Sequence, residues 1–340
     1  MKDSAPRDKN SKSPALLDVR NLRTHFLLPE GVVKAVDNVS FQVEEAEIMG
    51  LVGESGCGKS VTALSILGLI QSPPGRIVSG EILFQGNDLR KMVPDQLRRI
   101  RGDRISMIFQ EPMTSLNPVY SIGAQIIEVY TEHYGLSRKE AREKAREMLE
   151  KVQIPSPAKR IDEYPHQLSG GMRQRAMIAM ALACQPAVIL ADEPTTALDV
   201  TIQAQILELM VELQQSTGTS IILITHNLGA VAEYARHVVV MYSGKIVEEA
   251  PVVPLFDSPL HPYTVGLLNS IPQLGCKSAG RKKRLEEIPG MVPSLDDLPE
   301  GCYFHPRCPR VREICRKEEP GLGEIQPGHR VACWAAQESW

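Results

Sequence analysis

The sequence predicts an α/β protein whose core is a parallel sheet covered by helices on both faces. Three short, continuous apolar runs carry this prediction, at 48–52, 188–191 and 220–225. Each run is followed by a polar segment and then by residues with helical periodicity, and strands that alternate with helices are typical of parallel sheets. Ligands of such sheets gather at the carboxyl ends of the strands. We therefore expect one site that collects the residues following these runs.

The first apolar run leads into a glycine-rich loop that fits the phosphate-binding pattern G-x-x-x-x-G-K-[ST]. Glycines leave backbone N–H groups free to wrap phosphates, and the following helix directs its positive end at them. We expect Lys59 to reach the β- and γ-phosphates of ATP and the Ser60 hydroxyl to bind Mg²⁺. Cys57 is either a packing residue or an oxidisable thiol near a helix N-terminus. The expected ATP-binding residues here are Gly53, Glu54, Ser55, Gly56, Cys57, Gly58, Lys59, Ser60 and Val61.

Composition narrows the classes of function. The chain has 340 residues, and 43% of them are apolar. Its net charge of −3 does not indicate nucleic-acid binding. Its apolar runs are shorter than the ~18–20 residues that cross a bilayer. Residues 1–14 are polar and charged, so we expect a disordered tail and no secretory signal. We expect a soluble, cytosolic protein whose membrane role, if it has one, comes through partners.

Antiparallel strands and then helices surround these runs. Residues 16–43 alternate apolar and polar side chains around a break at 29–31, which predicts two antiparallel strands. Phe26 lies on that sheet, either in the core or stacked on an adenine ring. Further short strands are predicted at 81–84 and 105–109, and Ser169 is the expected N-cap of a later helix. A capping box and a buried helical stripe are predicted for the segment from 122 to 183, from Ser137, Glu140, Ala141, Ala145, Met148, Leu149 and Val152.

Polar residues follow the strand ends that should meet the phosphate loop. Asp192 can bind Mg²⁺ directly or through water, and Glu193 can polarise the attacking water as a general base. His226 follows the strand at 220–225, where it either contacts the γ-phosphate or is a buried structural histidine. Gln110 can reach Mg²⁺ or the water, although a loop glutamine is often only polar surface.

The chain resembles the ATP-binding-cassette family in five elements that occur in the family's order and spacing. The resemblance implies a P-loop ATPase core with a parallel sheet, an antiparallel β subdomain and a helical subdomain. It also implies that Ser169, Gly170 and Gly171 form the signature that completes the nucleotide site of a second subunit, and that Asp199 belongs to the D-loop. The five elements are the phosphate loop, Gln110 with 111–112, 168–172, 189–194 with 198–199, and Thr225 with His226.

A closer resemblance, to the ATP-binding subunits of dipeptide/oligopeptide importers, spans 16–334 and is strongest at 109–118, 168–175 and 261–264. It implies a cassette at 15–256 with a helical subdomain at about 111–183, and it places Phe26 against adenine. It implies two membrane permeases, a second ATP-binding subunit, an external substrate-binding protein and a peripheral location on the cytoplasmic side of the inner membrane. No nucleic-acid partner is expected.

The last segment, 257–340, is expected to be an extension with a basic run at 281–284 and a cysteine cluster. Stiff proline-containing loops surround four thiols, whose spacing is C-x5-C-x6-C-x17-C. By count, four thiolates suit zinc or an iron–sulfur cluster equally. The importer resemblance favours a [4Fe–4S] cluster over zinc, acting as a structural staple. The expected ligands are Cys302, Cys308, Cys315 and Cys333.

Other classes of function remain open from the sequence. Nickel and oligosaccharide importers use the same ATPase subfamily, and the transported substrate is chosen by other subunits. A cassette of nucleic-acid repair or translation is disfavoured, because the segment between Gln110 and Ser169 is too short for a coiled-coil arm. An iron–sulfur redox protein regulated by nucleotide is the third class.

Overall fold

A computed structural model describes residues 15–196, 198–270 and 288–338. The expected tail at 1–14 and the basic run at 281–284 lie outside these residues. The strands are β1 Leu17–Leu28, β2 Gly31–Val43, β3 Ile48–Val52, β4 Gly75–Phe84, β5 Asn87–Asp88, β6 Ile105–Ile108, β7 Val188–Asp192, β8 Ser220–Thr225, β9 His237–Tyr242, β10 Lys245–Pro251, β11 Gly323–Gln326 and β12 His329–Val331. The helices are α1 Lys59–Ile66, α2 Pro94–Ile100, α3 Pro112–Ser115, α4 Ile122–Tyr134, α5 Arg138–Lys151, α6 Pro157–Arg160, α7 Gly170–Leu182, α8 Val200–Thr217, α9 Leu228–Tyr234, α10 Val252–Asp257, α11 Pro262–Asn269 and α12 Trp334–Gln337. Within the ranges given above, no helix combines the length and apolarity needed to cross a membrane.

The larger sheet has eight strands in the order β11-β12-β10-β9-β3-β8-β7-β6. The pairs from β9 through β3, β8 and β7 to β6 are all parallel, which confirms the predicted parallel core. Every residue of β3, β6, β7 and β8 is buried, because helices cover both faces of the sheet. Since β3 pairs with β8 on one side and β9 on the other, the loop after β3 leaves from the interior of the sheet.

The smaller sheet is antiparallel, in the order β2-β1-β4-β5. The two strands predicted at 16–43 are β1 and β2, which pair around a turn at 29–30. The strand predicted at 81–84 is longer than expected, because β4 begins at Gly75 and pairs with β1 along its length. The short strand β5 pairs only with Leu83 and Phe84 at the end of β4. The first half of β4 is partly exposed and lacks a regular apolar pattern, which is why the sequence did not predict it as a strand.

Between β6 and β7 the chain forms the helices α3 to α7, in a stretch that the structure describes throughout. The predicted capping box starts α5: the Glu140 amide donates to Ser137 Oγ, and the Ser137 amide donates to Glu140 Oε2 at 3.0 Å. The predicted apolar stripe is buried and joins the main core. Its members are Ala141, Ala145, Met148, Leu149 and Val152.

The C-terminal extension continues the core sheet. β12 pairs with β10 in antiparallel register, and β11 pairs with β12. The attachment is completed by Glu248 of β10, a fully buried carboxylate. It accepts hydrogen bonds from the amides of Leu260 and His261 at 2.7 and 2.9 Å and contacts His329 Nε2 at 2.7 Å. The chain after 256 is therefore held to the core sheet by backbone pairing and by a buried polar cluster.

Candidate functional site

The phosphate loop is shaped by two glycines that no other residue can replace without a shift. Gly53 has φ +152° and Gly58 has φ +103°, both in the region that favours glycine. A Cβ on Gly53 would overlap the Met241 carbonyl oxygen, and one on Gly58 would overlap the Ala35 carbonyl oxygen. The loop is thus pressed between β9 and β2, and α1 begins directly after it.

Lys59 is buried and folds back over its own loop. Its Nζ donates to the carbonyl oxygens of Gly53 at 2.8 Å and Glu54 at 2.9 Å. No carboxylate in the described part of the chain forms an ion pair with it. Nζ also donates to Cys57 Sγ at 3.6 Å. These acceptors are all neutral, so phosphate oxygens would be stronger partners than the ones it has.

Cys57 packs into the core below the loop. It is 1% exposed, and burial raises the pKa of its thiol above the usual value. A protonated, enclosed thiol reacts slowly with oxidants. The structure therefore favours the packing interpretation of Cys57 over the oxidisable one.

Ser60 and Asp192 meet where α1 begins and β7 ends. Ser60 Oγ donates to Asp192 Oδ1 at 3.0 Å. Burial raises the pKa of Asp192, and the hydrogen bond from Ser60 opposes that rise. A hydroxyl and a carboxylate are hard oxygen donors of the kind Mg²⁺ prefers, so this pair fits the expected metal.

Glu193 is the centre of a polar group at the same sheet edge. Gln110 Nε2 donates to Glu193 Oε2 at 3.2 Å, Thr196 Oγ1 donates to it at 2.8 Å, and His226 Nδ1 lies 3.3 Å from Glu193 Oε1. Burial alone would raise the pKa of Glu193, but its contacts with Thr196 and His226 outweigh burial and lower that pKa. The carboxylate is therefore ionised at neutral pH.

The backbone at Glu193 is in the left-handed region, with φ +45°, which is costly for a residue with a side chain. Its amide donates to the Ile224 carbonyl of β8 at 2.8 Å, which fixes this conformation. His226 is two-thirds exposed, so the alternative of a buried structural histidine is wrong. Thr196 was not predicted, and its only signal in the sequence is a hydroxyl three residues after Glu193.

The signature residues lie on an exposed helix start. Ser169 caps α7, with its Oγ accepting from the Met172 amide at 3.4 Å. A Cβ on Gly171 would lie 3.1 Å from Ile202 Cγ2 of α8, so this glycine permits the approach of α7 to α8. Asp199 caps α8 by accepting from the Ile202 amide at 3.0 Å. Within the residues described, no hydrogen bond joins Ser169 or the two glycines to the phosphate loop.

Phe26 is half-buried on β1, opposite Gly75 of β4. A Cβ on Gly75 would lie 3.0 Å from the Phe26 ring, so the ring occupies the space above that glycine. Stacking of Phe26 on adenine stays a prediction. Val61, in the first turn of α1, is partly buried.

Two residues of the extension contact the phosphate loop, and neither contact was predicted. The Glu54 amide donates to Tyr263 Oη at 2.8 Å. Arg307 forms two hydrogen bonds with the Glu54 carboxylate, from Nη1 to Oε2 at 2.8 Å and from Nη2 to Oε1 at 3.1 Å. A local pattern cannot reveal contacts between residues so far apart along the chain.

The predicted four-cysteine metal centre is not supported. Among residues 15–196, 198–270 and 288–338, no three His, Cys, Asp or Glu side chains are arranged to hold a metal ion. Three of the thiols contact apolar side chains: Cys302 and Cys308 lie against the main core, while Cys333 joins a separate cluster around Val331. Burial raises the pKa of Cys302 to about 12, and the neighbouring thiols add to the rise.

Two family models match the chain. One, described as ABC transporter, covers residues 36–196, and the other, described as oligopeptide/dipeptide transporter, C-terminal region, covers residues 247–315. The first includes the phosphate loop and Glu193. The second includes the residues that contact Glu54.

Relatives of known name match over nearly their whole length. The probable peptide ABC transporter ATP-binding protein y4tR of Sinorhizobium fredii is 55% identical over 97% of each chain. The oligopeptide transport ATP-binding protein AppD of Bacillus subtilis is 51% identical over 95% of this chain and 97% of its own. The dipeptide transport ATP-binding protein DppD of Escherichia coli is 48% identical over 94% of this chain and 96% of its own.

Among solved structures, the dimeric ATP-binding cassette MJ0796, in a post-hydrolysis state bound to ADP and Pi, is similar with a TM-score of 0.63. It is 27% identical and covers 69% of this chain and 98% of its own. The cassette part of the present chain therefore has the fold of that protein.

Proposed function

Because this chain belongs to the ATP-binding proteins of the ABC transporter family, we propose that it is the subunit that binds and hydrolyses ATP to energise import of di- and oligopeptides. The peptide substrate rests on the named relatives and on the match of the C-terminal region. Nickel and oligosaccharide import have no such support. The subunit is peripheral, on the cytoplasmic face of the membrane, and acts on two permeases fed by an external binding protein.

The observation that carries the ATPase proposal is the ionised Glu193 beside the Ser60–Asp192 pair. Lys59 and the loop amides bind the phosphates, and Ser60, Asp192 and Gln110 would hold Mg²⁺, whose charge would offset that of the β- and γ-phosphates. Glu193 orients a water molecule and accepts its proton as the water attacks the γ-phosphorus. His226, exposed at the same edge, contacts the γ-phosphate and keeps Glu193 in place.

A second ATP-binding subunit completes the site. Ser169 and Gly170 are exposed at the start of α7, where helix amides can bind an anion. We propose that this signature covers the nucleotide of a partner cassette, whose own signature covers the nucleotide on Lys59. The similar cassette MJ0796 is a dimer bound to ADP and Pi. Closure of the two cassettes would move the permeases by rigid-body coupling through the segment at about 111–183.

The test of the ATPase proposal is Glu193→Gln in the assembled transporter. The variant should bind ATP but hydrolyse it more slowly, by on the order of 100-fold or more, because the amide cannot take a proton from water. Glu208→Gln, the same change at an exposed position of α8, is the matched control and should hydrolyse ATP at the wild-type rate. Undiminished hydrolysis by Glu193→Gln would show that another group acts as base.

We further propose that Cys302, Cys308, Cys315 and Cys333 bind a [4Fe–4S] cluster, with zinc as the alternative. Their spacing supports this, as does the mutual repulsion of their thiolates, which adds to burial in raising the pKa values of Cys302, Cys308 and Cys333. To bind the metal, the four thiols would have to move closer together than they are in the structure described above. Anaerobically purified protein should then be brown, with iron at about four atoms per chain. Colourless protein with one zinc would establish the alternative, and protein with neither metal would refute the centre.

A further inference from the structure

In the part of the chain that the structure describes, hydrogen bonds from residues after 256 reach the phosphate loop at one residue, Glu54. Its amide donates to Tyr263 Oη, and its carboxylate receives both terminal nitrogens of the Arg307 guanidinium. A bidentate ion pair of this kind fixes both the distance and the relative orientation of the guanidinium and the carboxylate, whereas a pair with one hydrogen bond does not fix the orientation. The loop therefore has a defined anchor that approaches it from the C-terminal extension.

Arg307 is built into the protein as a rigid support. It is 6% exposed, and Nε donates to the Pro289 carbonyl at 3.1 Å while Nη2 donates to the Ile288 carbonyl at 3.4 Å. The guanidinium carbon lies 5.9 Å from the centre of the Tyr242 ring and 6.0 Å from that of Phe304. These contacts restrict the movement of the guanidinium and hold it against the Glu54 carboxylate.

The support below Arg307 is a packed aromatic cluster. Tyr242 of β9 lies 4.7 Å from Tyr263 and 5.2 Å from Phe304, measured between ring centroids. Tyr263 and Phe304 are themselves 5.5 Å apart. The cluster joins the core sheet, helix α11 and the turn that carries Arg307, so displacement of the extension would be transmitted to Glu54.

We propose that Arg307 is a positioning residue, through which the C-terminal extension holds the phosphate loop in its ATP-binding conformation. The proposal rests on the ATPase function proposed above. The Glu54 amide donates to Tyr263 Oη, and the Glu54 carbonyl accepts from the Cys57 amide at 3.3 Å, so the position of Glu54 sets the turn of the loop. Without the anchor, ATP would have to order the loop as it binds, which reduces affinity. Because the loop contacts phosphate before and during hydrolysis, the loss should appear in KM and much less in kcat.

Two substitutions test the pair from its two sides. Arg307→Met keeps an unbranched apolar side chain but removes the guanidinium. Glu54→Gln removes the carboxylate charge from the phosphate loop, where the Glu54 side chain is partly exposed. Each should raise the KM for ATP about tenfold and leave kcat within about twofold of wild type. The double variant should be no worse than the more affected single variant, because both remove the same interaction. Arg307→Lys should raise the KM for ATP by an intermediate amount, because lysine keeps the positive charge but lacks the two parallel N–H donors of the guanidinium.

The matched control is Arg312→Met, which breaks an exposed ion pair with Glu338 in the same extension and should leave KM unchanged. Steady-state hydrolysis by the assembled transporter and equilibrium binding of Mg·ATP to the full chain provide the readouts. A purely structural role would lower the melting temperature of Arg307→Met without changing the KM of the folded protein. If Arg307→Met does not fold, Glu54→Gln still decides the question.

Unchanged KM in folded Glu54→Gln, or additive effects of the two substitutions, would overturn the inference while leaving the ATPase function intact. If the wild-type chain bound no ATP, the proposed function would fail, and the inference with it. The two failures are therefore distinguishable.

Discussion

The nucleotide edge of the core sheet and the attachment of the C-terminal extension both depend on acidic and basic side chains, but they hold these side chains differently. At the nucleotide edge, His226 is two-thirds exposed, and the contacts of Glu193 come from side chains that can exchange them for a ligand. Where the extension joins the sheet, Glu248 of β10 is fully buried, and Arg307 of the extension is nearly so. The side chains at the first site are open to a ligand, whereas those at the second hold other parts of the chain in position. Substitutions at the two regions should therefore affect different quantities.

The largest effect on stability is expected at Glu248. Glu248→Ala leaves the amides of Leu260 and His261 and the ring of His329 without their buried partner. Breaking a buried charged cluster costs about 3–5 kcal/mol, so the free energy of unfolding should fall by about that amount. Urea titration of the full chain measures it.

Glu212→Ala, at an exposed position of α8, is the matched control for Glu248→Ala and should change the free energy of unfolding by less than about 0.5 kcal/mol. A similarly small change in Glu248→Ala would mean that the extension is attached by its strands and apolar packing alone.

A smaller effect is expected from acid, through His261. Burial lowers the pKa of His261 to about 4, and its Nδ1 accepts from the Tyr263 amide at 3.0 Å, which requires the neutral ring. Because the folded pKa lies below the usual value, the unfolded chain binds more protons at intermediate pH. The contribution of this group to stability should therefore fall as pH drops, by about 2 kcal/mol between pH 7 and pH 5.

His261→Asn tests the acid effect, since asparagine keeps an acceptor near the position of Nδ1 and does not titrate. The slope of unfolding free energy against pH should be shallower in this variant. His166→Asn, at an exposed position, should retain the wild-type slope. An unchanged slope in His261→Asn would assign the acid effect to other groups.

The same contrast explains what the sequence could predict. Strands β3, β7 and β8 are continuous apolar runs, so their positions and the polar residues that follow them, including Asp192 and Glu193, were predictable from local pattern. Because parallel strands end at one edge, the meeting of Ser60 with Asp192 and of Gln110 and His226 with Glu193 followed from the fold class.

The local sequence pattern did not predict burial where a buried side chain depends on partners that are distant along the chain. β10 carries two buried acids, Glu248 and Glu249, which resemble surface residues until His329 and Arg330 of β12 pair with them. The contacts of Glu54 with Tyr263 and Arg307 have the same character. In the extension, the spacing of four thiols predicts a metal centre, but spacing alone does not place the side chains, and within residues 15–196, 198–270 and 288–338 no group of side chains is arranged to hold a metal ion. Apolar periodicity records burial along one element but not the pairing of charges across the fold.

The most direct test measures kcat and unfolding free energy together on Glu193→Gln and Glu248→Ala. Glu193→Gln should lose on the order of 100-fold or more in kcat, with unfolding free energy within about 1 kcal/mol of wild type. Glu248→Ala should lose about 3–5 kcal/mol of stability while its folded fraction retains kcat. If Glu193→Gln hydrolysed ATP at the wild-type rate, the assignment of the nucleotide edge as the seat of hydrolysis would be contradicted.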